Sequence, residues 1–199
     1  MSIVVTRKSQ IQLIATDLFR QKGYSATSMR DLATEVGIEA ASLYSHVKSK
    51  EELLNAICMR MAKKFMVSID RTMRSEGMTS TEILVTAIEK HILIITKDLA
   101  ASAVAWNEWK HLSEPDKSKF IDIQHEYENK FKAIVSAGVA SGEFEVADVS
   151  VCVMAILSSL NGIQRWRTFT QPPKELAKSF SKLFLKALSP QSEKMLEVI

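Results

Sequence analysis

The stretch from residue 27 to residue 54, TSMRDLATEVGIEAASLYSHVKSKEELL, restricts the fold of this chain more than any other segment. Its spacing predicts two short helices joined by a tight turn, then the capped start of a third. Thr27 and Ser28 stand where a helix begins, and Ser28-x-x-Asp31 has the form of a capping box, in which each residue's side chain serves the other's backbone N–H. Met29, Leu32, Ala33 and Val36 recur at helical spacing and give that helix one apolar face. Gly37 follows, where a left-handed backbone costs little. A second helix is expected over about 39–45, through Leu43 and Tyr44, and Ser49 with Glu52 opens a longer one. A helix, a glycine turn and a short second helix is the layout that lowers its second helix into the major groove of DNA.

The rest of the chain reads as helix as well. Residues 6–22 are apolar at Ile11, Ile14, Ala15, Leu18 and Phe19 and stop at Lys22-Gly23, a basic residue followed by a glycine cap. Further helices are expected over 50–74, 80–98, 99–112, 115–140, 148–169 and 173–188. Their starts are marked by Ser49 with Glu52, Thr79 with Glu82, Ser113-Glu114-Pro115-Asp116, Asp148 and Pro172-Pro173. No segment alternates as a strand would. The expected fold is all-α, with an N-terminal three-helix helix-turn-helix domain over 1–50 and a C-terminal helical bundle over 51–199.

Charge is divided unevenly between those parts. Residues 1–50 carry seven basic and four acidic side chains, and residues 51–199 carry nineteen of each, so the whole net charge of +3 lies in the first quarter. A basic excess beside a helix-turn-helix pattern suits phosphate contact, though a surplus this small is also ordinary surface. With 46% hydrophobic and 25% charged residues the composition is that of a globular protein. Cys58 and Cys152 lack metal-type spacing and lie in apolar surroundings, so reduced core cysteines and a cytoplasmic protein are expected. The opening MSIVVTRKSQ lacks the long apolar run of a signal peptide, and Lys97 and Asp98 interrupt the nearest approach to a membrane span. There is no glycine-rich phosphate loop, no HExxH and no Gly-x-Ser-x-Gly, so no catalytic residue, metal site or cofactor is expected.

The segment from the first helix to Leu54 resembles the DNA-binding domain of the TetR family of bacterial regulators. The resemblance is carried by Ala15, Phe19, Gly23, Tyr24, Thr27, Ala33, Gly37, Leu43, Tyr44, His46, Lys50 and Leu53. Glu39, Ala41 and Val47 depart from it, standing where a small capping Ser, a Gly and an aromatic are common. On the geometry of the motif, Glu39, Ala40 and Ser42 are the candidates to meet base edges, with Leu43 as the knob between the two helices. Thr27 and Ser28, at a helix N-terminus, are candidates for phosphate. Tyr44, His46 and Lys50 resemble family positions that touch phosphate. The resemblance also implies a homodimer on a near-palindromic double-stranded operator, joined through the last two long helices. There the faces Val149, Val153, Ile156, Leu157, Leu160 and Leu176, Phe180, Leu183, Phe184, Leu188 are apolar, which suits either an interface or internal core.

A helical body attached to such a reader suggests a pocket for a small hydrophobic effector. Trp106, Trp109, Tyr127, Met154 and Trp166 are candidates for its wall and Asn161 and Arg165 for its polar contacts, although Met and aromatic residues at helical spacing also build ordinary core. Residues 104–188 are similar to the branch of TetR regulators that sense acyl-CoA thioesters, on Glu108, Leu112, Tyr127, Gly138, Gly142, Phe144, Asp148, Asn161 and Trp166. That likeness implies an acyl-CoA effector and a repressor released by it. A TetR-type regulator of an efflux pump, sensing drugs or hydrophobic metabolites, is the alternative. A helical interaction protein without DNA binding is a second.

Overall fold

Capping residues decide where these helices begin. In the computed structural model, which describes residues 6–165 and 171–190, every regular element among the described residues is helical. Helix α1 is Arg7–Lys22, α2 Met29–Val36, α3 Ala40–Tyr44, α4 Lys50–Met73, α5 Ser80–Lys97, α6 Leu99–Glu108, α7 Asp116–Ala140, α8 Val149–Gly162 and α9 Pro173–Leu188. Single 3-10 turns extend α6 over Trp109–His111 and α8 over Ile163–Arg165. The Ser28–Asp31 capping box is fully formed, and Thr79 and Glu82 make a second one at α5. At α4 the exchange is skewed: Ser49 Oγ accepts from the Glu52 N–H, while Glu52 Oε2 accepts from the Lys48 N–H. The end of the helix expected over 148–169 falls outside the described residues, as does Trp166.

The chain divides into two compact units, Met1–Lys63 with Asp98–Asp122, and Lys64–Lys97 with Ile123–Ile199. In the first unit α1 packs on α6 and α2, and α2 packs on α3. Small buried residues on α6 (Ala101, Ser102, Ala103 and Ala105) let α1 lie close to it. Ile11 and Phe19 of α1, Leu32 and Val36 of α2, Leu43 of α3 and Leu53, Leu54 and Ile57 of α4 are buried. Each such side chain stabilises the fold by about 1.5–3 kcal/mol.

In the second unit α5 packs along α9 and against α8. Leu84, Ile88, Ile92 and Ile95 of α5 are buried, as are Phe131, Ile134 and Val135 of α7. Glu143, after α7, reaches the N-terminus of α5 and accepts from the Ser80 and Thr81 N–H groups at 3.0 and 2.8 Å. Those bonds, with Thr81's foremost, hold its carboxyl down at about 2. Gly138 is needed for a different reason. Phe144 folds back over it, with its N–H donating to the Gly138 carbonyl at 3.0 Å, and a Cβ at 138 would overlap the Phe144 ring.

On α8 and α9 the apolar faces divide between inside and outside. Val153, Ile156, Leu160, Leu176, Phe180 and Leu188 are internal core. Leu183 of the expected α9 face does point outward, 62% exposed, as do Val151 and Met154 on α8, 64% and 58% exposed, which lie outside the expected face. Val151, Met154, Ala155 and Ser158 follow one another at helical spacing along the exposed side of α8. A sequence cannot separate the two sides of a helix when both are apolar.

Candidate nucleic-acid interface

Helix α3 has only five residues, too few to be stable alone. It is held by one side chain. Leu43 is 0% exposed, and its carbonyl accepts from the N–H groups of His46 and Val47, which turn the chain out of the helix. At the other end Gly37 adopts the left-handed conformation (φ 74°), and its N–H donates back to the Ala33 and Thr34 carbonyls. The turn that this permits sets α3 against α2. The outer side of α3 is then Ala41, Ser42 and Tyr44, continued by Ser45, all exposed, with Ala40 half-buried. Glu39 occupies the N-cap position without making a capping bond, so its carboxylate stays exposed at the helix start.

Beside α3 lies a concavity of about 400 Å³, lined by Ser25, Ala26, Thr27, Ser28, Met29, Tyr44, Lys48, Ser49 and Lys50. The N-terminal ends of α2 and α4 both open onto it. Each carries a partial positive charge from its unpaired N–H groups, so the hollow is electropositive before any side chain is counted. Tyr44, 54% exposed, supplies a hydroxyl, and exposed Lys48 supplies a full charge. An anionic oxygen cluster of phosphate size suits such a place.

The residues expected at phosphate divide into two groups. Ser28, Tyr44 and His46 are exposed. Thr27 is buried, with its hydroxyl donating inward to the Gly23 carbonyl at 2.8 Å. Lys50 also turns inward, its ammonium lying among the carbonyls of Tyr24, Ser25 and Thr27. Lys48, Ser49 and Ala41 belong to this surface too, although the sequence marks Ser49 only as a helix cap and Ala41 only as a departure from the family pattern. The signal for Lys48 was a basic residue placed directly before a capping Ser at a helix start.

Two family models match the chain. Residues 14–57 match the bacterial regulatory proteins of the tetR family, and residues 77–188 match the tetracyclin repressor-like C-terminal domain. The second match alone spans more than half of the chain. The protein belongs to the TetR family. It is 28% identical over 146 residues to the HTH-type transcriptional repressor KstR2 of Rhodococcus jostii (strain RHA1), covering 73% of this chain and 71% of that one. The crystal structure of the TetR-family regulator PfmR from Thermus thermophilus is 30% identical, with a TM-score of 0.81, covering 89% of this chain and 97% of that one. The structure of AibR in complex with isovaleryl coenzyme A and operator DNA has the same fold, with a TM-score of 0.79 at 21% identity over 93% of this chain and 99% of that one.

In this TetR-family chain the residues expected around an effector fall in both units. Trp106 and Trp109 belong to the first unit, where Trp106 is 38% exposed and Trp109 lies across Phe120 at 6.1 Å between ring centroids. Met154 and Arg165 are exposed in the second unit. Tyr127 and Asn161 do come together, around a histidine. His91 is buried on α5, with Nδ1 2.9 Å from the Tyr127 hydroxyl and its ring 4.7 Å from that of Phe65. Asn161 lies close enough to favour the protonated ring, but no hydrogen bond of good geometry reaches Nε2. Burial prevails and pulls His91 from 6.5 down to about 4.

This neutral histidine has a measurable consequence. Below pH 6.5 the unfolded chain takes up a proton at His91 that the folded chain refuses until about pH 4. Its contribution is therefore complete above 6.5 and is lost as pH falls toward 4, by about 3 kcal/mol. Thermal melts at pH 7 and pH 4.5 should show a smaller acid loss in His91→Gln than in the parent protein. Equal losses would mean that His91 is accessible and titrates normally in the fold.

Proposed function

We propose that two copies of this chain pair through α8 and α9 and bind a near-palindromic operator as a repressor, which a small hydrophobic effector releases. The observation that carries this reading is the exposed face of α3, pinned by Leu43 beside a hollow onto which two helix N-termini open. Residues 1–50 act as the reader and residues 51–199 as the effector-binding and dimerisation part, working in the cytoplasm. Ala40, Ala41 and Ser42 meet base edges: Ala suits a thymine methyl, Ser accepts or donates, and Glu39 accepts from cytosine. Ser28, Tyr44, His46 and Lys48 contact the phosphates on either side. The outward Val151, Met154 and Leu183 form the apolar centre of the dimer contact.

The effector is an acyl-CoA thioester on this reading. Support comes, at the level of fold, from AibR with its bound isovaleryl coenzyme A. Release is a population shift: the effector favours an arrangement in which the two α3 helices no longer sit one DNA turn, about 34–36 Å, apart. A coupling of about 1–3 kcal/mol, or 5- to 150-fold in affinity, is the usual scale. Fluorescence anisotropy with the duplex upstream of the protein's own gene tests both halves. Acyl-CoAs should weaken binding while free coenzyme A does not. Release by cationic drugs and not by acyl-CoAs would replace this effector with that of an efflux regulator.

A further inference from the structure

An ammonium has three N–H groups and accepts no hydrogen bonds. In Lys50 all three are directed at backbone oxygens: the Tyr24 carbonyl at 2.9 Å, the Thr27 carbonyl at 3.0 Å and the Ser25 carbonyl at 3.4 Å. The charge also lies 4.4 Å from the centre of the Tyr24 ring, itself packed edge-on against Phe19 at 5.2 Å. No donor is left over for a ligand. These acceptors belong to the loop between α1 and α2, whereas Lys50 is the first residue of α4. Ser25 to Met29 form one wall of the 400 Å³ hollow, and Lys48 to Lys50 form the other.

We propose that Lys50 is a positioning residue for DNA, and that it makes no phosphate contact of its own. It staples the α1–α2 loop to the start of α4 and so fixes the width of the cleft in which a backbone phosphate sits. This deepens the operator-binding reading and rests on it. Lys48, exposed on the rim, carries the charge that meets the phosphate. Hydrogen bonds from a charged donor to three carbonyls are stronger than neutral ones, which suits a clamp on a short loop. Lys50→Met keeps the aliphatic stem over Tyr24 and removes every donor. Lys50→Gln restores an N–H donor without charge.

The roles separate in the salt dependence of binding. Each phosphate neutralised contributes about one unit to the slope of log affinity against log salt. The experiment selects a duplex from a random library with the parent protein, then titrates it with Lys50→Met, Lys50→Gln and Lys48→Ala at several salt concentrations. Circular dichroism at the assay temperature confirms that each variant is folded. Lys50→Met should bind about tenfold or more weakly with its slope unchanged, Lys50→Gln should recover part of the loss, and Lys48→Ala should lower the slope by about one. Amide exchange at residues 25–29 should quicken in Lys50→Met. A slope lowered by about one in both Lys50 variants would make Lys50 a direct phosphate contact and overturn the proposal. Unchanged affinity in folded Lys50→Met would reduce it to a stability residue and overturn it too. Failure of the parent protein to select any duplex would remove the operator-binding reading itself.

Discussion

Placing carboxylates at Val151 and Leu183 together (V151E with L183E) should leave the subunit helical and reduce operator affinity by about a thousandfold or more, toward the non-specific level. Both side chains are more than 60% exposed in the single chain. Substitution there changes the stability of one subunit by about 0.5 kcal/mol or less, since no core contact is lost. In the proposed dimer the same positions lie at the centre of an apolar contact between α8 and α9 of two copies. Two-fold symmetry then brings every introduced charge close to its like. Four carboxylates cannot be buried together without partners, so the pair separates. A single reader spans one half-site and loses the second half of the contact. Sedimentation equilibrium and anisotropy on the same preparation read the two consequences. A double variant that remains dimeric would move the interface elsewhere; a monomer that still bound tightly would deny the need for two-fold symmetry.

Leu43→Ala is expected to have the next largest effect. It removes the one fully buried side chain that α3 contributes to the first unit. Truncating a buried Leu costs about 2–5 kcal/mol, a large share of the 5–15 kcal/mol that holds a typical domain. With five residues, α3 has no helical stability of its own to offset the loss. Melting should move down by several degrees and operator binding should fall even where the rest of the chain stays folded. Ser42→Ala, one residue away and exposed, is the control. It should leave melting unchanged while altering preference at one base position. Calorimetry beside binding separates the two, and a Leu43→Ala protein that melts and binds like its parent would place α3's anchor elsewhere.

Much of this fold was legible in the sequence because its helices begin at local devices. Ser28 with Asp31, Thr79 with Glu82, and Gly37 each act within a few residues, and each performs the role its spacing implies. The finer roles were not legible because they depend on partners distant along the chain. Nothing local marks Lys50 as a clamp on carbonyls 23 to 26 residues earlier. The types and places of Thr27 and Lys50 point to phosphate, whereas both side chains close inward. His91 meets Tyr127 from 36 residues away, and the apolar run HILIIT gives no hint of that partner. On α8 and α9 the apolar residues run around both sides of each helix, and only the packed chain shows which side it uses itself.

The most direct measurement is methylation protection at guanine N7 on a duplex selected by the protein, because N7 faces the major groove alone. A two-fold pair of α3 helices protects N7 positions in two symmetric half-sites, their centres a whole number of helical turns apart, and protection disappears with the double substitution on α8 and α9. Tight binding with every N7 left reactive, or with a single unpaired protected site, would contradict the placement of α3 in the groove.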